Sequence, residues 1–164
     1  MIAPPDASLV FAHPALSRLG LDQRSLALEL GRDDDNLVDS FAARGVRVLR
    51  LEASDRFNEQ TARRVRQEHG RADLIVIGEL QSESVDRDAV LAGIPLLLAW
   101  NGTLTFQLPR DLSVEAAQRW LEPHALRAYD VAERTTHSGA VRIWACHAAD
   151  VRRISKVLRE RIAS

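Results

Sequence analysis

The sequence predicts a three-layer α/β sandwich around a mostly parallel sheet of five or six strands, and three observations carry that expectation. The first is a unit that recurs. A polar amphipathic stretch ends in glycine and a short apolar run follows: Asp34–Arg44, Gly45, Val46–Leu51; then Asn58–His69, Gly70, Asp73–Ile77; then Ser84–Ala92, Gly93, Ile94–Trp100. Glycine just past a helix takes the left-handed conformation that other residues resist, so it stops the helix and turns the chain. The second is that the apolar runs are β-branched or leucine-rich with few polar interruptions, as strands buried on both faces must be. The third is the acidic residues at the expected helix starts, such as Asp33–Asp35 ahead of Leu37, Val38, Phe41 and Ala42, where carboxylates cap free N–H groups.

The elements follow in order. The first strand has two readings, residues 8–12 with a helix over 15–30, or residues 25–30 with an arm before it over 1–24; length and alternation do not separate them, and the first is slightly preferred. Ser54 or Asn58 caps the second helix, and Ser82 or Ser84 the third. After the run to Trp100, Asn101-Gly102 matches a two-residue hairpin turn, so an antiparallel strand is expected at 101–108, where Leu104, Phe106 and Leu108 alternate with polar residues. Ser113 starts a helix to about Ala132, which Pro123 kinks or splits after Leu121. Residues 140–147 alternate as a strand, and a last helix spans Asp150–Ile162 with Val151, Ile154, Leu158 and Ile162 on one face. The pattern is Rossmann- or flavodoxin-like, and with no linker or low-complexity tract residues 1–164 read as one α/β domain.

Composition excludes several functions. Net charge is −1, so there is no global field to attract nucleic acid or an anionic membrane, and the longest apolar run, Ile94–Trp100, is far too short to span a bilayer. The single cysteine, Cys146, cannot form an internal disulfide, which fits a cytoplasmic location. Of the 22 basic residues only Lys156 is lysine, so no Walker-type lysine frame is present. That arginine preference fits a GC-rich genome.

Motif-defined chemistry is missing. There is no Gly-x-Gly-x-x-Gly, for Gly31 and Gly78 stand alone, and no Gly-x-Ser-x-Gly elbow. The five histidines have no zinc-ligand spacing. Cys146 and His147 are neighbours on an expected strand, so their side chains point to opposite faces and form no dyad. No catalytic residue, metal ligand or cofactor is therefore assigned. Arg63, Arg64, Arg66 and Arg71, and the basic last helix, read as solvated faces or, more weakly, as phosphate-tracking surfaces.

The remaining candidates are residues expected at the carboxyl ends of the parallel strands, where ligands of open α/β sheets bind. Glu52 and Asp55 follow Val46–Leu51, Glu79 follows Asp73–Ile77, Ser82 begins a helix, and Trp100 is expected on the rim as a binding anchor. Two readings of the acids stand: helix caps and solvated loops, or ligands for Mg²⁺ and a phosphorylated small molecule.

Asp33-Asp34-Asp35, the helix to Gly45, Val46-Arg-Val-Leu and Ala72-Asp73-Leu-Ile-Val-Ile77 resemble the first half of a response-regulator receiver domain. Gly78 stands where that family's phosphate-accepting aspartate falls, Ala99-Trp100 ends the strand that should end in serine or threonine, and the family's lysine has no counterpart. The resemblance implies a degenerate relative that is not phosphorylated in the usual way. The expected function is a non-catalytic regulatory or protein-interaction module with a protein partner, and the alternative is a Mg²⁺-dependent enzyme or binder of a phosphorylated small molecule.

Overall fold

A computed structural model describes residues 19–32, 37–51, 57–78, 80, 85–109, 111–132, 141–152 and 154–163. The first strand is β1, Leu26–Leu30, the second of the two readings; residues 8–12 lie outside the described residues. Helix α1, Leu37–Ala42, leads through Gly45 (φ 88°) to β2, Arg47–Leu51. Helix α2, Glu59–His69, is capped by the Asn58 side chain, which accepts from the Thr61 amide at 3.0 Å, and it ends at Gly70 (φ 87°) before β3, Ala72–Ile77. Two of the three glycines thus stop helices at positive φ, as their spacing predicts.

The third does not. Gly93 lies inside α3, Arg87–Leu97, and strand β4 begins at Leu98 and runs to Leu108. The glycine there answers a packing need, because a Cβ at Gly93 would sit 2.8 Å from the Asn58 carbonyl oxygen and 2.7 Å from the Phe57 ring. Helix α3 can press against the start of α2 only without that carbon. The apolar run from Ile94 is a fully buried helix end, and a continuous apolar stretch of that length reads equally as a strand.

Asn101-Gly102 is not a hairpin turn. Both residues lie within β4, which runs parallel to β3. The antiparallel pairing expected in this stretch is present, but the partner is β6, Val141–His147, matched from Leu104 with Ala145 to Leu108 with Val141. Helix α4 is Val114–Leu121, with Ser113 as its cap, and a single 3₁₀ turn, Glu122–His124, closes it. Pro123 ends the helix there, and Ala125 at φ 56° turns the chain into β5, Leu126–Ala132, a strand where helix was expected. The last helix, α5, is Lys156–Ala163, shorter at its start than the periodicity suggested.

The six strands form one sheet in the order β2-β1-β3-β4-β6-β5. All neighbours pair in parallel from β2 to β4, and β6 is antiparallel to both β4 and β5. One face carries Leu28, Leu30, Ile75, Ile77, Leu104, Phe106 and Ile143, packed with Val65 of α2, Leu91 and Ile94 of α3, Ala117 of α4 and Leu158 of α5. The other face carries Ala27, Leu74, Val76 and Trp144, packed with Leu37, Val38 and Phe41 of α1. Helix, sheet, helix: the three-layer α/β architecture holds. Among the described residues no helix is long and apolar enough to cross a membrane.

Candidate functional site

The chain leaves β1 outward to β2, then returns to the other side of β1 to lay down β3. That reversal opens a crevice at the carboxyl ends of β1 and β3, the topological switch point where ligands of doubly wound sheets bind. In register, Leu30 faces both Leu51 and Ile77, so the three strands end at one level. Backbone bonds lace the ends together. The Gly31 amide donates to the Leu51 carbonyl at 2.9 Å, and the Gly78 amide donates to the Leu30 carbonyl at 2.7 Å.

Two glycines shape this level. Gly31 takes φ 70°, a left-handed turn that side-chain-bearing residues resist, directly after the last residue of β1. Gly78 is a close approach: a Cβ there would lie 2.1 Å from the Arg32 carbonyl oxygen and 2.5 Å from its carbonyl carbon. The chain leaving β1 therefore crosses directly over the end of β3. The sequence signal for both is the same, a lone glycine immediately after a buried apolar run, which falls short of a complete glycine-rich motif.

Glu52, Asp55, Glu79 and Ser82 lie outside the described residues, although Glu52 is bonded to Leu51, the last residue of β2, and Glu79 to Gly78. Trp100 is described, and it stands at the opposite edge. Ala72, the first residue of β3, is matched with Leu98, so Trp100 sits at the amino ends of the parallel strands. It is 69% exposed, with the Arg71 guanidinium 4.9 Å above its ring and the His147 ring tilted against it at 5.0 Å. Arg71 and His147 converge on the Leu98 carbonyl, at 3.0 and 2.9 Å. Burial lowers the Arg71 guanidinium pKa from its usual value, and neighbouring Arg66 adds to this. The early strand start displaces Trp100: an element beginning at Leu98 places residue 100 near its bottom, not at the top of a strand ending there.

Other sequence candidates resolve as structure. Cys146 is fully buried and burial pushes its thiol up, which suits a core residue. His147 lies buried against a backbone carbonyl. On α2, Arg63 pairs with Glu59 one turn away at 3.6 Å and Arg66 donates to the Leu96 carbonyl at 3.4 Å. Among the described residues no three histidine, cysteine or acidic side chains gather as metal ligands would.

A second feature of the carboxyl edge escaped the sequence reading. Arg87, the first residue of α3, lays its guanidinium carbon 3.7 Å from the centre of the Trp120 ring, and Trp120 in turn lies 6.4 Å from the Phe106 ring. Phe106 is matched with Ile77, the last residue of β3, so this stack belongs to the same level as the switch point.

No protein-family model matches the chain, and none of the curated proteins searched matches it. Solved structures do. A release-factor-specific protein-(glutamine-N5) methyltransferase from Alicyclobacillus acidocaldarius superposes with a TM-score of 0.57 at 15% identity, covering 89% of this chain and 94% of that one. The mitomycin 7-O-methyltransferase MmcR gives a TM-score of 0.58 at 16% identity over 87% of this chain, which spans 53% of MmcR's length. The glycopeptide N-methyltransferase MtfA, solved with sinefungin, gives 0.53 at 13% identity, covering 87% of this chain and 93% of that one. These neighbours correct the expectation of a non-catalytic regulatory module built like a receiver, because the fold is one that methyl-transferring enzymes use. What the chain shares with them at these identities is the fold alone, a Rossmann-like three-layer α/β sandwich.

Proposed function

We propose that this protein is an S-adenosylmethionine-dependent methyltransferase that seats its methyl donor over the carboxyl ends of β1 and β2. The observation that carries the reading is the switch point itself: Gly31, at φ 70°, turns the chain immediately after β1 in a fold shared with methyltransferases.

The residues present fit such a donor. In doubly wound sheets an acidic residue about 20 positions after the first glycine, at the end of the second strand, bonds the ribose hydroxyls, and Glu52 occupies that place in the sequence after Gly31. The segment after Gly31 reads Arg-Asp-Asp-Asp-Asn and lacks the further glycines with which dinucleotide sites cradle pyrophosphate. The donor has no phosphate. It carries a sulfonium and an ammonium group against one carboxylate, a net positive charge, and the carboxylates that follow the strands in sequence, Asp33–Asp35, Glu52, Asp55 and Glu79, complement that charge and disfavour a phosphorylated ligand. When bound, the donor supplies an electrophilic methyl group on sulfur. The chain's own part is to hold the ribose through Glu52, to turn the backbone out of the way at Gly31, and to fix the strand ends through the Leu51–Gly31 and Leu30–Gly78 bonds. The chain's contribution to the rate would be positioning, holding an acceptor beside the donor in a fixed orientation. A cytoplasmic location, where the lone buried thiol of Cys146 stays reduced, belongs to this proposal.

The test is calorimetry with S-adenosylhomocysteine, S-adenosylmethionine and sinefungin. The expected result is binding at about 1–100 μM, weakened about tenfold or more by Glu52→Ala through loss of the ribose bonds. MgATP should give no heat. Absence of binding by all three adenosyl compounds at millimolar concentration, in protein with a well-dispersed NMR spectrum, would remove the reading.

A further inference from the structure

Resting on the reading just given, we infer that Arg87 anchors a carboxylate carried by the methyl acceptor, over the ends of β3 and β4. The half-buried arginines Arg71, Arg127 and Arg152 each donate to an oxygen: the Leu98 carbonyl, the Asp150 and Arg152 carbonyls, and the Asp150 carboxylate respectively. Arg87 is also half-buried, and among the described residues it donates to none. Its Nε is sealed without a hydrogen-bond partner, its guanidinium carbon 3.7 Å from the Trp120 ring centre. The neighbouring acids are engaged elsewhere: Asp86 caps α3 by accepting from the Ala89 amide at 3.2 Å, and Asp88 meets His124 Nε2 at 3.3 Å.

A guanidinium stacked on an indole is held in one plane by the ring's quadrupole and by dispersion, while its terminal N–H groups still point outward. That is a cation with its orientation fixed in advance and its donors unspent. Two parallel N–H groups match a carboxylate in bidentate geometry. The placement agrees with the donor site. Phe106, under Trp120, is level with Ile77, and Ile77 is level with Leu30, where the donor's turn begins. Donor and acceptor would then occupy adjacent stations along one sheet edge, β1–β2 for the donor and β3–β4 for the acceptor. A carboxylate suits the station better than a phosphate, since its single charge and two oxygens are met by one guanidinium fork, whereas a phosphate dianion calls for a second cation.

The probe is benzoate, an aryl carboxylate, added to ¹⁵N-labelled protein with and without S-adenosylhomocysteine while the Arg87 Nε–H and Trp120 indole N–H resonances are followed. Benzamide, the neutral isostere, and inorganic phosphate are titrated in parallel. Benzoate should shift both resonances saturably in the millimolar range, and benzamide and phosphate should bind about tenfold more weakly. Arg87→Gln should weaken benzoate about tenfold and Arg87→Lys, which keeps charge without the fork, about threefold. Both variants should keep their S-adenosylhomocysteine affinity and thermal midpoint. Benzoate without effect on either resonance, or equally bound by Arg87→Gln, overturns the assignment, and tighter binding of phosphate than benzoate overturns its carboxylate class. Benzoate binding at Arg87 in protein that ignores every adenosyl compound would keep the anchor and discard the donor, so the two readings fail separately.

Discussion

Arg152 shows how much one side chain can hold in place. Its guanidinium donates to the Thr103 hydroxyl at 2.9 Å, to the Asn101 carbonyl at 2.8 Å, and to the Asp150 carboxylate at 2.9 Å, while its guanidinium carbon lies 4.6 Å from the centre of the Tyr129 ring. Burial pushes the Asp150 carboxyl up, but the bonds from Arg152 more than reverse this and hold it below the usual carboxylate range. The depressed folded value means that Asp150 contributes stability above the unfolded value near 4, and that this contribution disappears as pH falls through the folded value. Asp150→Asn should therefore cost about 1–3 kcal/mol at pH 7. The gap between variant and parent in urea denaturation should narrow below about pH 4; a gap unchanged between pH 7 and pH 3 would count against the pairing. Gly78 carries the other residue-scale prediction. Because the clashing atoms are Arg32 backbone, which cannot rotate aside, Gly78→Ala should cost about 2–4 kcal/mol. It should also abolish donor binding by displacing the turn at Gly31. A stable, binding-competent Gly78→Ala would break the account of the switch point.

At the scale of elements, the β4 arch shows where sequence reasoning stops. Between β3 and β4 the register advances from Ala72–Leu98 to Leu74–Thr103, so five steps on β4 answer two on β3, and three extra residues are taken up in a bulge that includes Trp100 and Asn101. Asn-Gly signals a tight backbone reversal, but which segments flank it decides whether a hairpin or a bulge results. Here Pro95 sits in the last turn of a buried helix rather than in a strand, and nothing local to 94–97 distinguishes the two. Gly102 is still required, for a different reason than a hairpin would give: a Cβ would meet Leu98 Cδ1 at 2.7 Å and the Ala99 carbonyl at 3.0 Å. Gly102→Val should cost about 1–3 kcal/mol by chemical denaturation through overpacking in the arch, and Asn101→Ala, whose side chain is exposed, should change little. Equal costs at both positions would favour a true turn. The units ending at Gly45 and Gly70 were legible because cap, stripe, glycine and strand all agree there. The candidate site was half legible. The strand ends that carry Glu52 and Glu79 follow from the alternation, but the Arg87–Trp120 stack joins residues 33 positions apart, and no local pattern reports such a meeting.

Over the whole molecule, stability should be graded across the sheet and ligand response graded along it. β1, β3 and β4 each have strands on both sides, whereas β2 is an edge whose Arg47 and Arg50 are exposed. Arg50 is held by an ion pair to Asp39 of α1, a surface contact worth little. Charged side chains on such an edge discourage pairing with another chain and also leave it the easiest strand to open. Native-state hydrogen exchange should thus be slowest for Leu28–Leu30, Leu74–Ile77 and Leu104–Phe106, and faster along Arg47–Leu51. A ligand that binds only the folded state adds RT ln(1 + [L]/Kd), about 2.7 kcal/mol at a hundredfold excess over Kd, to every amide that exchanges by global unfolding. Amides that exchange by local opening respond only if the ligand touches the segment that opens. S-adenosylhomocysteine should therefore slow the central strands uniformly, add protection at 30–32, 51 and 77–80 beyond that, and leave Arg71, Trp100 and His147 unchanged where they exchange locally. Added local protection at the Trp100 edge, with none at the carboxyl ends of β1 and β3, would move the adenosyl site to the opposite side of the sheet and refute the placement argued from the switch point.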